Sequence, residues 1–309
     1  MDSMHILPIL LITVITSVVS AETVEYVNPS IKAYLVQAIS DSYLSPPTTR
    51  PVLDTNTTTN ITSSFVLTQV IKLDDALQIL DISGWITLEW QDEFISWNIT
   101  DTGIECIQMK QDKIWIPDIV LLQNTDRDHK YFMSDVPVSV CYNGSVRLYS
   151  ISLFKTFCHI NIKYYPKDEQ TCVLEFISWT HDINKLDFYP IANSFDQNQQ
   201  FVENGIWKLM GVKEARTVNN YSFSSYSSLQ FWIHLQRRHE FQKTFYLIPY
   251  YMCSFLICLM FLVPEPGERI SYGITVVLAV IVFNQLIFLS LPPVGDQIPQ
   301  IGNYTVFHT

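Results

Sequence analysis

Two groups of side chains in this sequence have spacings that could do chemistry. The first lies near the C-terminal end. Glu268 stands just before an uncharged stretch, 270–291. At 100° per residue, Ser271, Thr275, Leu278, Val282, Gln285 and Leu289 project within about 40° of one line on a helix. Polar groups aligned on one stripe of an apolar helix line water rather than lipid. Hydroxyl oxygens and a carboxylate at one mouth suit a cation. The second group is Cys158 and Cys172, which enclose residues 159–171. A disulfide closing a loop of that size is worth about 3 kcal/mol in the chain-entropy account. Other chemistries find no support. There is no Ser/His/Asp order, no metal pair and no phosphate-cradling glycine loop among only 9 glycines. His159 and His181 have no ligand-like spacing to carboxylates and read as structural. No enzyme and no cofactor is expected.

The elements that would place these groups follow from composition. Only 16% of the 309 residues are charged, against roughly 25% in a soluble domain, and mean hydropathy is +0.15. The net charge of −11 argues against a nucleic-acid partner, which would need a basic face. Residues 6–19 form an apolar run before the small residues Val19-Ser20-Ala21, so 1–21 reads as a signal peptide, an N-terminal anchor being the alternative. Sequons at Asn56, Asn60, Asn98, Asn143 and Asn220 all precede residue 244, with another at Asn303, and favour an extracellular segment. Segments 245–263 and 270–291 carry no charge, and each is long enough to span a bilayer. The short turn Pro264-Glu265-Pro266-Gly267-Glu268-Arg269 makes them a helical hairpin whose turn is cytoplasmic. Arg237, Arg238 and Lys243 fall outside, against the positive-inside rule; the signal peptide and sequons outweigh that count.

Residues 22–243 read as mostly β. Ile31, Leu35 and Ile39 recur at helical spacing, so a short helix within 26–43 comes first, ended by Pro46-Pro47 and Pro51. Alternating runs then follow at 65–73, 85–90, 146–151 and 229–235. Short strands between Asn, Asp and Gly turns indicate a β-sandwich. The fold class expected is an extracellular all-β sandwich with a short N-terminal helix, followed by transmembrane α-helices in 244–309. Cys253 and Cys258 lie within the first span and are expected to be reduced. Spacing and a secretory context predict a Cys158–Cys172 disulfide. Cys106 and Cys141 are a second, weaker candidate pair.

The 158–172 loop, with Tyr165-Pro166-Lys167-Asp168 and Gln170, closely resembles the signature loop of Cys-loop receptors, the pentameric ligand-gated ion channels. Lys167 departs from the pattern, since an aromatic usually follows the proline. Trp85-Ile86-Thr87-Leu88-Glu89-Trp90-Gln91-Asp92 with Trp97-Asn98 resembles the family's tryptophan block. Trp115-Ile116-Pro117-Asp118 with Asn124 resembles the next block. Trp207, Arg237-Arg238 and Pro249 also match, and Pro266-Gly267-Glu268-Arg269 is like the cation-conducting members. The resemblance runs from about residue 30 to the end.

The resemblance implies a β-sandwich that binds ligand between subunits in a box of aromatics, whose faces attract ammonium at about 0.5–2 kcal/mol each. Trp179, Tyr221 and Tyr226 match the principal side of the box, and Trp85 the side given by a neighbour. Two departures bear on the ligand. Leu122 stands where the family often has a tyrosine. The late loop 219–226 lacks the adjacent cysteine pair of acetylcholine-binding principal subunits, and a glycan on Asn220 would crowd it. The ligand implied is cationic and acetylcholine-like, with a complementary-face subunit or an unusual ligand as alternatives. Five copies of Glu268 would form a cation-attracting ring, Leu278 a dewetting gate, and Arg269 would turn from the axis. Asp75 and Arg238 are expected to pair near Tyr165-Pro166 and couple the two halves. The function implied is a subunit of a neurotransmitter-gated cation channel, a homo- or heteropentamer in the plasma membrane, with a postsynaptic location as one alternative. Family subunits have four spans, and here a third only begins at 301–304. The sequence is then either a piece of a longer subunit or a truncated product, and the alternative function is a truncated binding-only or dominant-negative chain.

Overall fold

The computed structural model describes residues 29–43, 48–126, 136–191 and 201–290. The segment read as a signal peptide, Asn303 and the beginning of a third span lie outside them. The first element among the described residues is helix α1 (Pro29–Ser42), which buries Leu35 and Ile39, with Tyr43 just beyond its end. These are the i, i+4, i+8 positions of one helical face.

Among the described residues ten strands follow: β1 (Thr59–Asp74), β2 (Ile79–Gln91), β3 (Cys106–Met109), β4 (Ile119–Leu121), β5 (Val138–Cys141), β6 (Ser145–Phe157), β7 (Glu169–Ser178), β8 (Leu186–Pro190), β9 (Trp207–Asn220) and β10 (Ser225–Arg237). A one-turn helix α2 (Ile99–Thr102) lies between β2 and β3, capped by the Asn98 side chain. The strands form two sheets in the orders β3-β5-β6-β2-β1-β8 and β4-β7-β10-β9. All neighbours run antiparallel except β1 and β8. The expected sandwich is what the chain forms.

Period-2 alternation builds the core between the sheets. On β10, Leu229, Phe231, Ile233 and Leu235 are buried, while Gln230, Trp232, His234 and Gln236 face away from it. Phe65, Phe154, Phe176 and Phe231 meet across the layers with ring centroids 5.3–5.9 Å apart in tilted or edge-on contacts.

Both candidate disulfides are present. Cys158–Cys172 closes the loop before β7. Cys106 and Cys141 are direct cross-strand partners on β3 and β5, with Cα atoms 4.0 Å apart, and they too are joined. Cys253 and Cys258 are free.

After β10 come two helices, α3 (Glu240–Met260) and α4 (Pro266–Ser290). They start several residues earlier than the uncharged stretches at 245 and 270. Pro264 and Pro266 break the chain between them, and a proline suits the first turn of α4 because its missing N–H has no helical partner. The 25 residues of α4 reach about 37 Å at 1.5 Å each, enough for a hydrocarbon core of about 30 Å. Among the described residues, α4 carries the one stretch, Pro266–Phe283, that is long and apolar enough to cross a membrane. The helices are tied by Tyr272, whose hydroxyl donates to the Leu256 carbonyl at 3.2 Å, and by Val276, which is buried.

Candidate ligand and coupling sites

Trp179 follows β7 directly and is 70% exposed. A large apolar ring left in water needs a rigid backbone beneath it to stay placed. Asp118, next to Pro117 and just before β4, supplies that. One carboxylate oxygen accepts from the Ser178 hydroxyl at 2.6 Å, the other from the Thr180 N–H at 2.6 Å and its hydroxyl at 2.5 Å. His181 Nδ1 lies 3.1 Å from the first oxygen, and the Trp179 N–H donates to the Asp118 carbonyl at 3.2 Å. Burial alone would raise this carboxyl. The donors from Ser178, Thr180 and His181 outweigh it and hold the group below the usual carboxylate range. Trp115 is buried, edge-on both to Trp90 and to His181 of the clamp.

The β9–β10 hairpin tip brings Tyr221, Phe223 and Tyr226 together. Their centroids lie 5.7–6.2 Å apart, Tyr221 and Phe223 stacked and Tyr226 edge-on to both. Phe223 is 78% exposed. It was absent from the expected site, although an aromatic between two candidate tyrosines was a visible signal. The hairpin is laced to the loop after Trp179. The Ile183 N–H donates to the Ser225 carbonyl at 2.9 Å, and the Ser224 hydroxyl to Asp182 at 3.1 Å. Trp179, Tyr221 and Tyr226 thus share one end of the four-stranded sheet. Leu122, without a ring, follows β4 there and donates its N–H to the Glu175 carbonyl at 2.8 Å.

Trp85 lies on the other sheet. It pairs with Val66 on β1 and with Ile151 on β6, and Ile151 and Leu153 are exposed. The two sets of candidate residues in one chain therefore lie on different sheets.

At the opposite end of the four-stranded sheet, Arg237 closes β10. Its Nε lies 2.8 Å and its Nη2 3.1 Å from the two Asp168 oxygens, and Nη2 also reaches Asp75 at 2.9 Å. The guanidinium sits 4.2 Å from the Trp207 ring centroid and 5.2 Å from that of Tyr165, which a cis bond joins to Pro166. This corrects the expectation that Asp75 pairs with Arg238. Strand alternation continues from Ile233 and Leu235 to turn Arg237 inward. Arg238 turns outward and bonds Glu203 at 2.6 Å. Burial pushes the Asp75 carboxyl up, against the pull of Arg237 and with some help from Asp168. Gln170 stitches the disulfide loop to this node. Its amide donates to Asp168 and to the Asn161 carbonyl, and its oxygen accepts from the Asn161 N–H.

The model of the neurotransmitter-gated ion-channel ligand binding domain matches residues 33–239, and that of the neurotransmitter-gated ion-channel transmembrane region matches 246–308. The chain belongs to the neurotransmitter-gated ion-channel family. Neuronal acetylcholine receptor subunit alpha-9-II of Oncorhynchus mykiss is 34% identical over 83% of this chain and 47% of its own length. Alpha-10 of Rattus norvegicus is 34% identical over 82% and 57%. Ligand-gated ion channel 4 of Caenorhabditis elegans is 31% identical over 88% and 44%. The chain spans about half the length of the curated relatives it matches. This family is one of ligand-gated channels, not of enzymes.

In this channel-family chain Glu268, Ser271, Thr275, Leu278, Val282 and Gln285 are all exposed on α4, while Val276 is buried. Leu289 lies in the last turns of the helix, and its side chain is outside the described residues. Arg269 turns back, its Nε and Nη2 donating to the Val263 carbonyl at 3.0 and 2.7 Å. Asn56, Asn60, Asn98, Asn143 and Asn220 are all exposed. Asn220 also accepts from the Ser225 hydroxyl at 2.7 Å, beside the aromatic hairpin.

Proposed function

We propose that the chain is a subunit of a cation channel opened by an extracellular ammonium ligand bound between subunits. One observation carries this reading. Trp179 is held out by the Asp118 clamp beside the Tyr221–Tyr226 hairpin, while Trp85 lies on the other sheet. A neighbouring subunit that set its Trp85 against this Trp179 would close an aromatic cage that neither chain closes alone. Ring faces turned to one point attract an ammonium group. Similarity to chains named acetylcholine receptor subunits supports an acetylcholine-like ligand. Leu122 and the missing cysteine pair argue for altered affinity.

The domain plan that fits is a signal peptide at 1–21, an extracellular ligand-binding sandwich at 22–243 bearing glycans at the five exposed sequons, and a membrane region at 244–309, in the plasma membrane. The pore is lined by α4. Glu268 repeated around a symmetric ring gives carboxylates at one mouth, Ser271 and Thr275 offer oxygens to a partly dehydrated cation, and Leu278 forms the constriction. Arg269, engaged with the Val263 carbonyl, does not oppose them. Asp75, Tyr165, Pro166 and Arg237 form the joint between sandwich and membrane helices, with Arg238 at its outer edge.

The test is expression with alpha-9- or alpha-10-type subunits, followed by current recording under sodium and chloride gradients. The reversal potential is expected to follow sodium, and Glu268→Gln to weaken that preference. Trp179→Ala should weaken binding of a quaternary ammonium far more than Trp179→Phe. A chloride-following reversal potential, or equal effects of the two Trp179 variants, overturns the assignment. Binding without current under every partner combination would instead identify a binding-only chain.

A further inference from the structure

Glu175 on β7 is a carboxylate whose charge the architecture does not explain. It is 5% exposed. Its oxygens accept from the Asn219 amide at 2.7 Å, the Ser228 hydroxyl at 2.8 Å and the Gln123 amide at 2.9 Å. Burial opposes ionisation, and the donors from Asn219, Gln123, Ser228 and Gln230 overcome it, so the group stays below the usual glutamate range. Among the described residues no cation lies within ion-pair distance of it. Other buried acids are managed differently: Asp168 meets Arg237, Asp187 meets Arg216, and Asp92 is pushed up to about 7.

Its place in the sheet links it to the aromatic end. On β7, Glu175 and Ile177 share a face with the position of Trp179; on β10, Gln230 and Ser228 share it with Tyr226. Glu175 pairs directly with Gln230, and Asn219, which holds the carboxylate, pairs directly with Tyr226. The anion therefore lies beneath the hairpin. Its burial keeps a neighbouring subunit's lysine or arginine from reaching it, but not its field, which a low-dielectric setting transmits.

We propose that Glu175 selects for charge at this site: its buried carboxylate gives the aromatic end a preference for an ammonium ligand over a neutral one of the same shape. This rests on the ligand site proposed above. Glu175 touches no ligand. It acts through the potential it sets up, and through the hairpin that Asn219 and Ser228 anchor to it.

The experiment compares acetylcholine with its neutral carbon isostere, 3,3-dimethylbutyl acetate, on the full chain in membranes. Glu175→Gln is expected to weaken acetylcholine about tenfold and the isostere less than about twofold. Gln230→Lys sets a cation beside the intact carboxylate and should give the same selective loss, which covers a Glu175→Gln chain that fails to fold. Ser228→Ala removes a donor but keeps the charge, and should shift both probes alike. Equal losses of both probes with Glu175→Gln and Gln230→Lys reduce Glu175 to a hairpin anchor and overturn the proposal while leaving the ligand site standing. Unchanged affinities overturn it too. A wild-type chain that binds neither probe overturns the ligand site itself, and the charge selection with it.

Discussion

The two ends of the four-stranded sheet both bury charge, and they neutralise it differently. Next to α3, Arg237 is enclosed by two carboxylates and two aromatic rings, so the charges there meet opposite charges of the same chain. At the aromatic end, Glu175 meets amides and a hydroxyl, with no cation among the described residues. An ion pair closed on itself gains little from anything that arrives later, and so makes a stiff joint. A carboxylate solvated by dipoles remains an open charge whose field still acts on a newcomer. On the functions proposed above, the same sheet would carry a fixed end and a responsive end.

The largest expected effect tests the fixed end. Arg237→Ala leaves Asp168 and Asp75 buried without their cation and should destabilise the fold by about 3–5 kcal/mol. Surface labelling of intact cells and thermal unfolding of the solubilised chain should both show it. A loss under about 1 kcal/mol would mean that the rings and Gln170 hold the node without the charge.

A third buried acid sharpens the contrast. Asp92 accepts from the Tyr43 hydroxyl and from the Phe94 N–H, and burial pushes it up to about 7. Its folded value lies above its unfolded one, so from about pH 4 to pH 7 the unfolded chain releases a proton that the folded chain keeps. Stability should therefore fall as pH rises through that window. Asp92→Asn should flatten this part of the profile and gain about 1–3 kcal/mol at pH 8. An unchanged slope would assign the dependence to other groups.

Asp118→Asn probes the clamp. One carboxamide oxygen cannot replace two carboxylate oxygens, and the loss of a charged acceptor is worth about 1.5–3 kcal/mol locally. Binding at Trp179 should weaken about tenfold or more, and the unfolding midpoint should fall by several degrees. In the wild type the contribution is full above the ordinary carboxylate value of 3.8 and is lost as pH falls below it, because the folded value is depressed.

The smallest effect is that of Arg238→Ala. Its ion pair with Glu203 is exposed and should be worth less than about 1 kcal/mol. A loss as large as that of Arg237→Ala would erase the distinction between the two neighbours.

Much of this was legible in the sequence. Alternation marked the sandwich and helical spacing α1, because burial follows period 2 and period 3.6, and the length of the two uncharged stretches marked the helices after β10. The Arg237–Arg238 choice was legible too: counting in twos from Ile233 puts Arg237 inside. Two features were not. Cross-strand register decides that Cys106 meets Cys141, and register is set by pairings distant in sequence. Glu175 is an acid within the run Cys172–Ser178 that sequence reasoning passed over, and its donors come from β9, β10 and the segment after β4, which only the folded sheet assembles.

The two disulfides have a consequence for biosynthesis. Four cysteines allow three pairings, and this chain uses the one in which each joins its neighbour in order, Cys106 with Cys141 and Cys158 with Cys172. With the N-terminus-first delivery into an oxidising lumen that the proposed signal peptide implies, Cys141 would arrive before Cys158. Each native partner is thus the first thiol that its mate encounters, and oxidation in order of arrival yields the native set without exchange.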